Sequence, residues 1–235
     1  MSASSRAVGE RSLAALAVTG SEVGRESHVR AFVYVDGFNL YYRGLKKTPH
    51  KWLDIQKLAQ EILDPGDTIE FIRYFTADVS PRAGDTDAPI RQQAYLRALR
   101  TLPNLKIHKG RFLPKTKTRP MVLDPRKFVE VHDTEEKGSD VNLASHLLND
   151  AFNKRFDVAL VMTQDTDLCE PMRMVKDELK LIVGVVWTGN STPGKHYRAV
   201  TSFIRHANGS ILGRSQFPDP VIGQGGAKIG KPSGW

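Results

Sequence analysis

The sequence has few of the features that identify secreted, membrane or zinc-binding proteins. It contains one cysteine, Cys169, so an internal disulfide is excluded and a reducing compartment is favoured. No apolar run approaches the ~20 residues that a membrane-spanning helix needs. The seven histidines form no pair at the spacing of a zinc site. No internal repeat is visible, which argues against a solenoid. We therefore expect a cytoplasmic protein that has no membrane segment.

The net charge of the chain bears on its partners, and the composition of its two ends sets the limits of the predicted ordered region. The formal net charge of +8 weakly favours a polyanionic partner. Residues 1–28 are rich in Ser, Gly and Ala and are predicted to form a flexible N-terminal segment. Residues 213–235 are rich in Gly and Pro and are predicted to form a disordered tail. A single domain over residues 29–212 remains.

Within that domain, short apolar runs alternate with segments of helical spacing. The predicted strands are Ala31–Val35, Thr68–Thr76, Leu105–Phe112, Val158–Met162 and Leu181–Val186. The predicted helices are Trp52–Leu63, Pro89–Leu102, Asp140–Phe152 and a segment that includes Met174 and Val175. Strands that alternate with helices indicate parallel βαβ units. The sequence thus predicts an α/β fold, a three-layer α/β/α sandwich with a mostly parallel central sheet and flexible tails.

Four aspartates follow strands or begin helices at the same predicted edge of the sheet. Asp36 ends the first strand, Asp165 and Asp167 follow the strand Val158–Met162, and Asp140 begins the apolar face of a helix. In an open α/β sheet, ligands bind outside the carboxyl ends of the strands. Carboxylates that are crowded together require protonation or a bridging cation. Oxygen ligands favour Mg²⁺ or Mn²⁺ over zinc, as one or two ions.

Each of these residues also has a structural explanation. Asp36 is compatible with a turn residue bonded to its own backbone, and Asn39 with a helix N-cap. Asp167 and Glu170 have the spacing of a capping box. Asp140 stands in the first helical turn, where an acid gains only a few tenths of a kcal/mol from the helix dipole. A buried acid costs several kcal/mol without a positive partner, so the dipole alone does not explain its placement.

Three motifs resemble those of a known family. They are V-D-G-F-N at Val35–Asn39, E-K-G-S-D at Glu136–Asp140 and T-Q-D-T-D-L at Thr163–Leu168. In order and spacing they resemble the motifs of NYN domains, in particular the LabA-like branch of the PIN-like nuclease superfamily. The resemblance extends from about Val29 to about His206. It implies a PIN-like fold and metal-dependent cleavage of RNA.

The resemblance also implies roles for particular residues. The implied catalytic residues are Asp36, Asn39, Asp140, Asp165 and Asp167, and the four aspartates among them are the implied metal ligands. Ser139, Thr163 and Lys137 are expected to support those ligands through hydrogen bonds or charge. Two positions depart from the family pattern, because Gln164 stands in place of a usual Gly and Leu168 in place of a usual Phe.

A basic segment at about residues 106–127 is the expected site of RNA contact. It contains eight Lys and Arg residues and only one acid, Asp124, and prolines divide it into loops. We expect it to form a hairpin or arm beside the site, although a solubilising loop is the plain alternative. The residues predicted to bind RNA are Lys109, Arg111, Lys115, Lys117, Arg119 and, from the first helix, Arg43.

Two other classes of protein remain open. A non-catalytic RNA-binding or adaptor protein is possible on the same fold, because Gln164 and Leu168 depart from the family pattern. A metal-dependent phosphatase is disfavoured, since that chemistry commonly needs a second Asp two residues after the first, where Phe38 stands. A homodimer is compatible with the sequence.

Overall fold

The computed structural model describes residues 28–235, so the predicted flexible segment lies outside the described residues except for His28. In chain order, the strands of that part are β1 Arg30–Asp36, β2 Thr68–Thr76, β3 Leu105–Lys109, β4 Arg111–Pro120, β5 Phe128–Lys137, β6 Val158–Met162, β7 Ile182–Thr188, β8 Phe203–Ala207, β9 Val221–Ile222 and β10 Lys228–Ile229. Six of them form one sheet in the order β3-β2-β1-β6-β7-β8, and every neighbouring pair is parallel.

A short 3₁₀ turn, Gln224–Gly226, lies between β9 and β10, and seven longer helical segments lie elsewhere between the strands of the described part. They are α1, a helical turn over Gly37–Asn39 that widens over Leu40–Leu45; α2 Ile55–Ile62; α3 Ala88–Leu99; α4 Ser139–Phe152; α5, formed by Thr166–Leu168, Cys169–Arg173 and Met174–Glu178; α6 Lys195–Val200; and α7 Gly209–Arg214. None of the helices in residues 28–235 is long and apolar enough to span a membrane.

The sheet is covered on both faces, because alternate residues of its central strands point to opposite sides. Val33 and Val35 of β1 pack with helices α2 and α3 on one face. Phe32 and Tyr34 of the same strand pack with α4, α5 and α6 on the other face. The predicted three-layer α/β/α sandwich is therefore confirmed, and β2 and β6 have the predicted bounds. The short edge strand β8 was not predicted, because Arg205 and His206 interrupt its apolar pattern.

The predicted third strand is wrong in extent, because the chain turns at Gly110. A side chain at Gly110 would lie 2.6 Å from the carbonyl oxygen of Lys137, so only glycine permits the close approach found there. After the turn, β4 and β5 pair in antiparallel register as a separate two-stranded hairpin, Arg111–Lys137. The arm that was expected at residues 106–127 is therefore one strand and the tip of a longer hairpin.

The prediction of a disordered tail over residues 213–235 is wrong. Phe217 and Val221 are buried in the core, and β9 pairs with β10. The backbone N–H of Phe217 donates to the carbonyl oxygen of Trp52 over 2.9 Å, and the Trp52 indole donates to the carbonyl oxygen of Pro218 over 3.0 Å. A few apolar side chains and backbone hydrogen bonds thus fix a segment whose Gly and Pro content suggested disorder.

Candidate active site

The predicted acids lie at the point where the order of strands reverses. From β1 the chain continues to β2 on one side, and the later strand β6 pairs with β1 on the other side. The crevice outside the carboxyl ends of two such strands is the usual ligand site in this architecture. Asp36 is the last residue of β1, and Thr163 follows the last residue of β6. Parallel pairing therefore brings two of the three sequence motifs together.

Asp36 is held in one orientation by two hydrogen bonds. Its carboxylate accepts from the backbone N–H of Asn39 over 2.9 Å and from the Thr163 hydroxyl over 3.0 Å. The residue is only 5 % exposed. Burial raises the pKa of its carboxyl group to about 6, against the two hydrogen bonds and with the help of Asp140 and Asp165. Asp36 is thus both the expected turn residue and a member of an acidic site.

Asn39 and Gln164 connect the same loops. The Asn39 side-chain oxygen accepts from the backbone N–H of Gln164 over 2.8 Å, so its amide does not act as a helix cap. The Gln164 side chain donates to the carbonyl oxygen of Thr188, at the end of β7, over 2.7 Å. Leu168, in the first turn of α5, is buried in the core beside α4. Both departures from the family pattern therefore have structural roles in this chain.

Three further carboxylates face Asp36 across a cleft of about 350 Å³. They belong to Asp140, Asp165 and Glu136. Asp140 makes no side-chain hydrogen bond with residues 28–235, and burial together with Asp165, Glu136 and Asp167 raises its pKa. The Asp165 carboxylate accepts from the backbone N–H of Asp167 over 3.0 Å, so Asp165 is the cap that was attributed to Asp167. Asp167 itself is exposed and does not line the cleft.

Glu136 is an acid of the cleft that the sequence did not single out. Its carboxylate accepts from the Ser139 hydroxyl over 2.9 Å, at the base of the hairpin. Glu136 lies in the E-K-G-S-D motif, which was the available signal. Ser139 lines the cleft as well, whereas Lys137 donates to Glu135 over 2.5 Å and is not among the lining residues. Of the three residues expected to support the acids, Ser139 and Thr163 contact carboxylates of the cleft and Lys137 does not.

All three lysines expected to bind RNA are paired with acids. Lys115 and Lys117 form ion pairs with Glu135 and Asp133 of the returning strand, over 2.5 and 2.6 Å, and Lys109 pairs with Asp78 over 2.7 Å. Segment 106–127 contains one acid, but the complete hairpin, residues 111–137, has seven basic and five acidic side chains. Its charge is therefore nearly balanced in space. Arg111 and Arg119 have no ion pair with residues 28–235.

Two arginines line the cleft opposite the acids, Arg43 and Arg82. Neither side chain makes a hydrogen bond or an ion pair within the described part of the chain. Arg43 was predicted as an RNA contact, whereas Arg82 lies in the loop between β2 and α3 and was not predicted. No sequence signal distinguished Arg82 from other surface arginines, because the loop that carries it has no recognisable pattern.

A second cavity, of about 310 Å³, adjoins the cleft and shares Phe38, Tyr42 and Arg82 with it. We call it the aromatic cavity, because six rings line it: Phe38, Tyr41, Tyr42, Tyr74, Tyr95 and Trp235. Basic side chains also lie in its wall: Lys46, Lys51, Arg82 and Arg91. It was not predicted, since its rings come from four separate stretches of the sequence, including the supposed tail.

The carboxylates of the cleft are suited to a divalent cation that keeps part of its water shell. Within residues 28–235, no three His, Cys, Asp or Glu side chains converge closely enough to hold an ion by direct ligation. Four carboxylates nevertheless face one cleft, and one of them, that of Asp140, lacks any partner there. Mg²⁺ commonly binds through one or two carboxylates and keeps several water ligands. The residues present therefore fit such an ion.

Comparison with known proteins agrees with the fold. The NYN domain model matches residues 30–208. A relative named 6-hydroxy-3-succinoylpyridine 3-monooxygenase HspA, from Pseudomonas putida, is 29% identical to this chain. The alignment covers 88% of this chain and 75% of the relative. A crystal structure of a protein of unknown function from Vibrio parahaemolyticus has the same fold, with a TM-score of 0.54 at 12% identity over 79% of this chain and 97% of its own. The chain belongs to the NYN domain family, within the PIN-like superfamily.

Proposed function

We propose that this protein is a metal-dependent ribonuclease that hydrolyses phosphodiester bonds of RNA in the cleft between β1 and β6. The observation that carries the proposal is the carboxylate of Asp140, which has no hydrogen-bond partner among residues 28–235 and shares one cleft with Asp36, Asp165 and Glu136. Several acids at one site are costly for the apo protein, and a bound cation removes that cost. Membership of the NYN family supports nuclease chemistry, because its superfamily consists largely of divalent-metal nucleases.

Asp36, Asp140 and Asp165 would hold Mg²⁺ or Mn²⁺ in part through water ligands, and Glu136 lines the same cleft. When it is bound, such an ion polarises the phosphate and lowers the pKa of a water molecule for attack on phosphorus. The residues around the acids hold the carboxylates in place. Asn39 and Thr163 fix the Asp36 carboxylate, and Gln164 fastens the loop to β7. Asp167, outside the cleft, orders the loop by donating its backbone N–H to Asp165.

The substrate phosphate needs a positive contact, because the carboxylates repel it. Arg43 is the best placed of the predicted RNA contacts, since it lines the cleft and its guanidinium has no partner among residues 28–235. Arg111 and Arg119 extend the positive surface along the hairpin. Lys109, Lys115 and Lys117 contribute less, because each is paired with a carboxylate.

The test is a cleavage assay on fluorescent single- and double-stranded RNA and DNA with Mg²⁺, Mn²⁺ or a chelator. We expect RNA cleavage that requires the ion and falls at least 100-fold in Asp140→Asn and in Asp165→Asn. Asp177→Asn is the matched control, because Asp177 is an exposed acid of α5 outside the cleft. RNA that is bound in a salt-sensitive way but never cut would support the non-catalytic adaptor instead.

The aromatic cavity favours a second candidate, the oxidation of a small aromatic acid. The relative from Pseudomonas putida is named as a monooxygenase of a hydroxypyridine that carries a succinoyl group. A cavity with six rings and several basic side chains suits such a ligand. Insertion of one oxygen atom from O₂ requires two electrons and two protons from a donor, and the other oxygen atom leaves as water. Oxygen consumption with this pyridine and a reduced nicotinamide or flavin tests the candidate, and no consumption above a protein-free control rejects it.

A further inference from the structure

We propose that the aromatic cavity is a nucleotide-binding site, in which one base stacks among the rings while its phosphate meets Arg82 at the boundary with the carboxylate cleft. The proposal deepens the proposed function and rests on it for the identity of the substrate. It assigns a position to the nucleotide next to the scissile bond.

The walls of the cavity match a planar ring. Tyr41 and Tyr42 meet edge to face with centroids 5.2 Å apart, and Trp235 lies 5.7 Å from Tyr95. Fixed rings of this kind provide stacking surfaces, and each stacked base contributes affinity without strict dependence on sequence. The volume of about 310 Å³ is at the lower end of the range for small-molecule pockets, which suits one nucleotide rather than a longer ligand.

Tyr74 provides a polar contact inside this apolar wall. The residue is 5 % exposed and lines the cavity, yet its hydroxyl makes no hydrogen bond within residues 28–235. The neighbouring Tyr95 differs, because its hydroxyl donates to the carbonyl oxygen of Leu53 over 2.8 Å. Because Tyr74 lines the cavity and its hydroxyl has no partner among the described residues, that hydroxyl is free to bind a ligand, and the edge of a base offers it both donors and acceptors.

Arg82 provides the phosphate contact. Among the basic residues of the cavity, Lys46 lies over the Tyr42 ring, Lys51 donates to the carbonyl oxygen of Thr48, and Arg91 pairs with Asp85. Only the Arg82 side chain has no such partner in the described part of the chain. Arg82 also lines both cavities, so a phosphate bound there lies between the stacked base and the carboxylates.

The experiment measures binding of the four ribonucleoside 5′-monophosphates to the full chain by calorimetry, at low salt with a chelator. Ribose 5-phosphate, nucleosides and 6-hydroxynicotinate are the comparison ligands. We expect nucleotides to bind at least tenfold more tightly than ribose 5-phosphate, because only they supply a ring. Tyr42→Ala should raise the nucleotide Kd about 5- to 20-fold. Tyr74→Phe, which keeps the ring and removes the hydroxyl, should raise it a few-fold and change the order of preference among bases.

Arg82→Gln should raise the Kd of nucleotides about tenfold and leave that of nucleosides unchanged. Arg97→Gln is the matched control, since Arg97 is exposed on α3 and lines neither cavity. Equal binding of ribose 5-phosphate and nucleotides would overturn the proposal, and so would binding of 6-hydroxynicotinate alone. Nucleotide binding without RNA cleavage would reject the ribonuclease and leave this site standing. RNA cleavage without ring-dependent nucleotide binding would reject this site and leave the ribonuclease proposal standing.

Discussion

The carboxyl group of Asp36 shows how the fold maintains an unfavourable charge. It accepts two hydrogen bonds, yet burial outweighs them and raises its pKa to about 6. Between an unfolded pKa near 3.8 and this folded value, the folded state binds the proton more tightly. The ionised Asp36 carboxylate therefore lowers the free energy of unfolding of the apo protein fully above pH 6, and this loss of stability disappears as the pH falls toward 4. A site that costs stability when empty is typical of function rather than of packing.

Asp36→Asn should stabilise the apo protein and abolish cleavage. The amide keeps acceptor and donor groups for Asn39 and Thr163 but has no charge to bury. We expect a gain of about 1–3 kcal/mol in the free energy of unfolding at pH 8, measured by urea denaturation with a chelator, and no gain below pH 4. Asp177→Asn should change neither stability nor cleavage. A loss of stability at pH 8 would show that the Asp36 carboxylate is a structural group.

A second residue-scale prediction concerns His108. Burial, followed by the neighbouring His146 and Arg73, lowers its pKa from 6.5 to about 4. Its Nε2 lies 3.3 Å from an Arg73 nitrogen that can only donate, so the ring is held neutral. The unfolded chain therefore takes up this proton first as the pH falls, and stability is lost between pH 6.5 and 4.

His108→Gln should remove that part of the acid sensitivity. We expect wild type to lose about 1–2 kcal/mol more than the variant between pH 7 and 4.5, after allowance for solvent screening. The opposite contribution of Asp36 cancels in this comparison, because both proteins contain it. Urea denaturation across that pH range measures the difference. The exposed His132→Gln is the control, and parallel curves for wild type and His108→Gln would contradict the prediction.

At the scale of elements, prediction from sequence succeeded where a pattern is local. The runs of β1 and β6 are almost wholly buried, and the carboxyl ends of these two strands place Asp36 and Asp165 at one edge of the sheet. The hairpin is different, because its charge depends on which residues face each other across two strands. Lys115 opposes Asp133 in register, although they are 18 positions apart. The sequence therefore located the arm but overstated its positive charge.

The pairing of the hairpin lysines with carboxylates leads to a prediction about RNA affinity. Lys115→Gln with Lys117→Gln should change the RNA Kd less than threefold and leave its salt dependence intact, because these lysines already have carboxylate partners. Arg43→Gln should weaken binding about tenfold and reduce the slope of log K against log salt by about 1, as expected for one phosphate contact. Filter binding between 50 and 200 mM salt measures both. A greater loss in the lysine double variant would restore the original interpretation of the arm.

At the scale of the whole molecule, the C-terminal segment joins the core to the aromatic cavity. Ser215 accepts from the backbone N–H of Asp54 over 2.8 Å, Phe217 packs against Trp52, and Trp235 lines the cavity. Composition suggested disorder because Gly and Pro lower the apolar content of this stretch. Its order depends instead on a few large side chains that pack against residues distant in the sequence. Composition alone does not reveal such contacts.

Removing residues 215–235 should therefore destabilise the fold. Phe217 alone is a large buried side chain, and loss of such a group typically costs about 3–5 kcal/mol. In a chain of this size each kcal/mol corresponds to about 2–4 °C. We expect the melting temperature to fall by roughly 10 °C or more, measured by calorimetry with a chelator.

A shorter deletion, of residues 223–235, separates packing in the core from closure of the aromatic cavity. It keeps Phe217 and Val221 in the core but removes Trp235 from the cavity wall. The melting temperature should then fall by only a few degrees, whereas the affinity for nucleotides should fall as much as in Tyr42→Ala. An unchanged melting temperature in the longer deletion would return the segment to the disordered state predicted from its composition. Full nucleotide affinity in the shorter one would show that Trp235 rests on the cavity without contributing to binding.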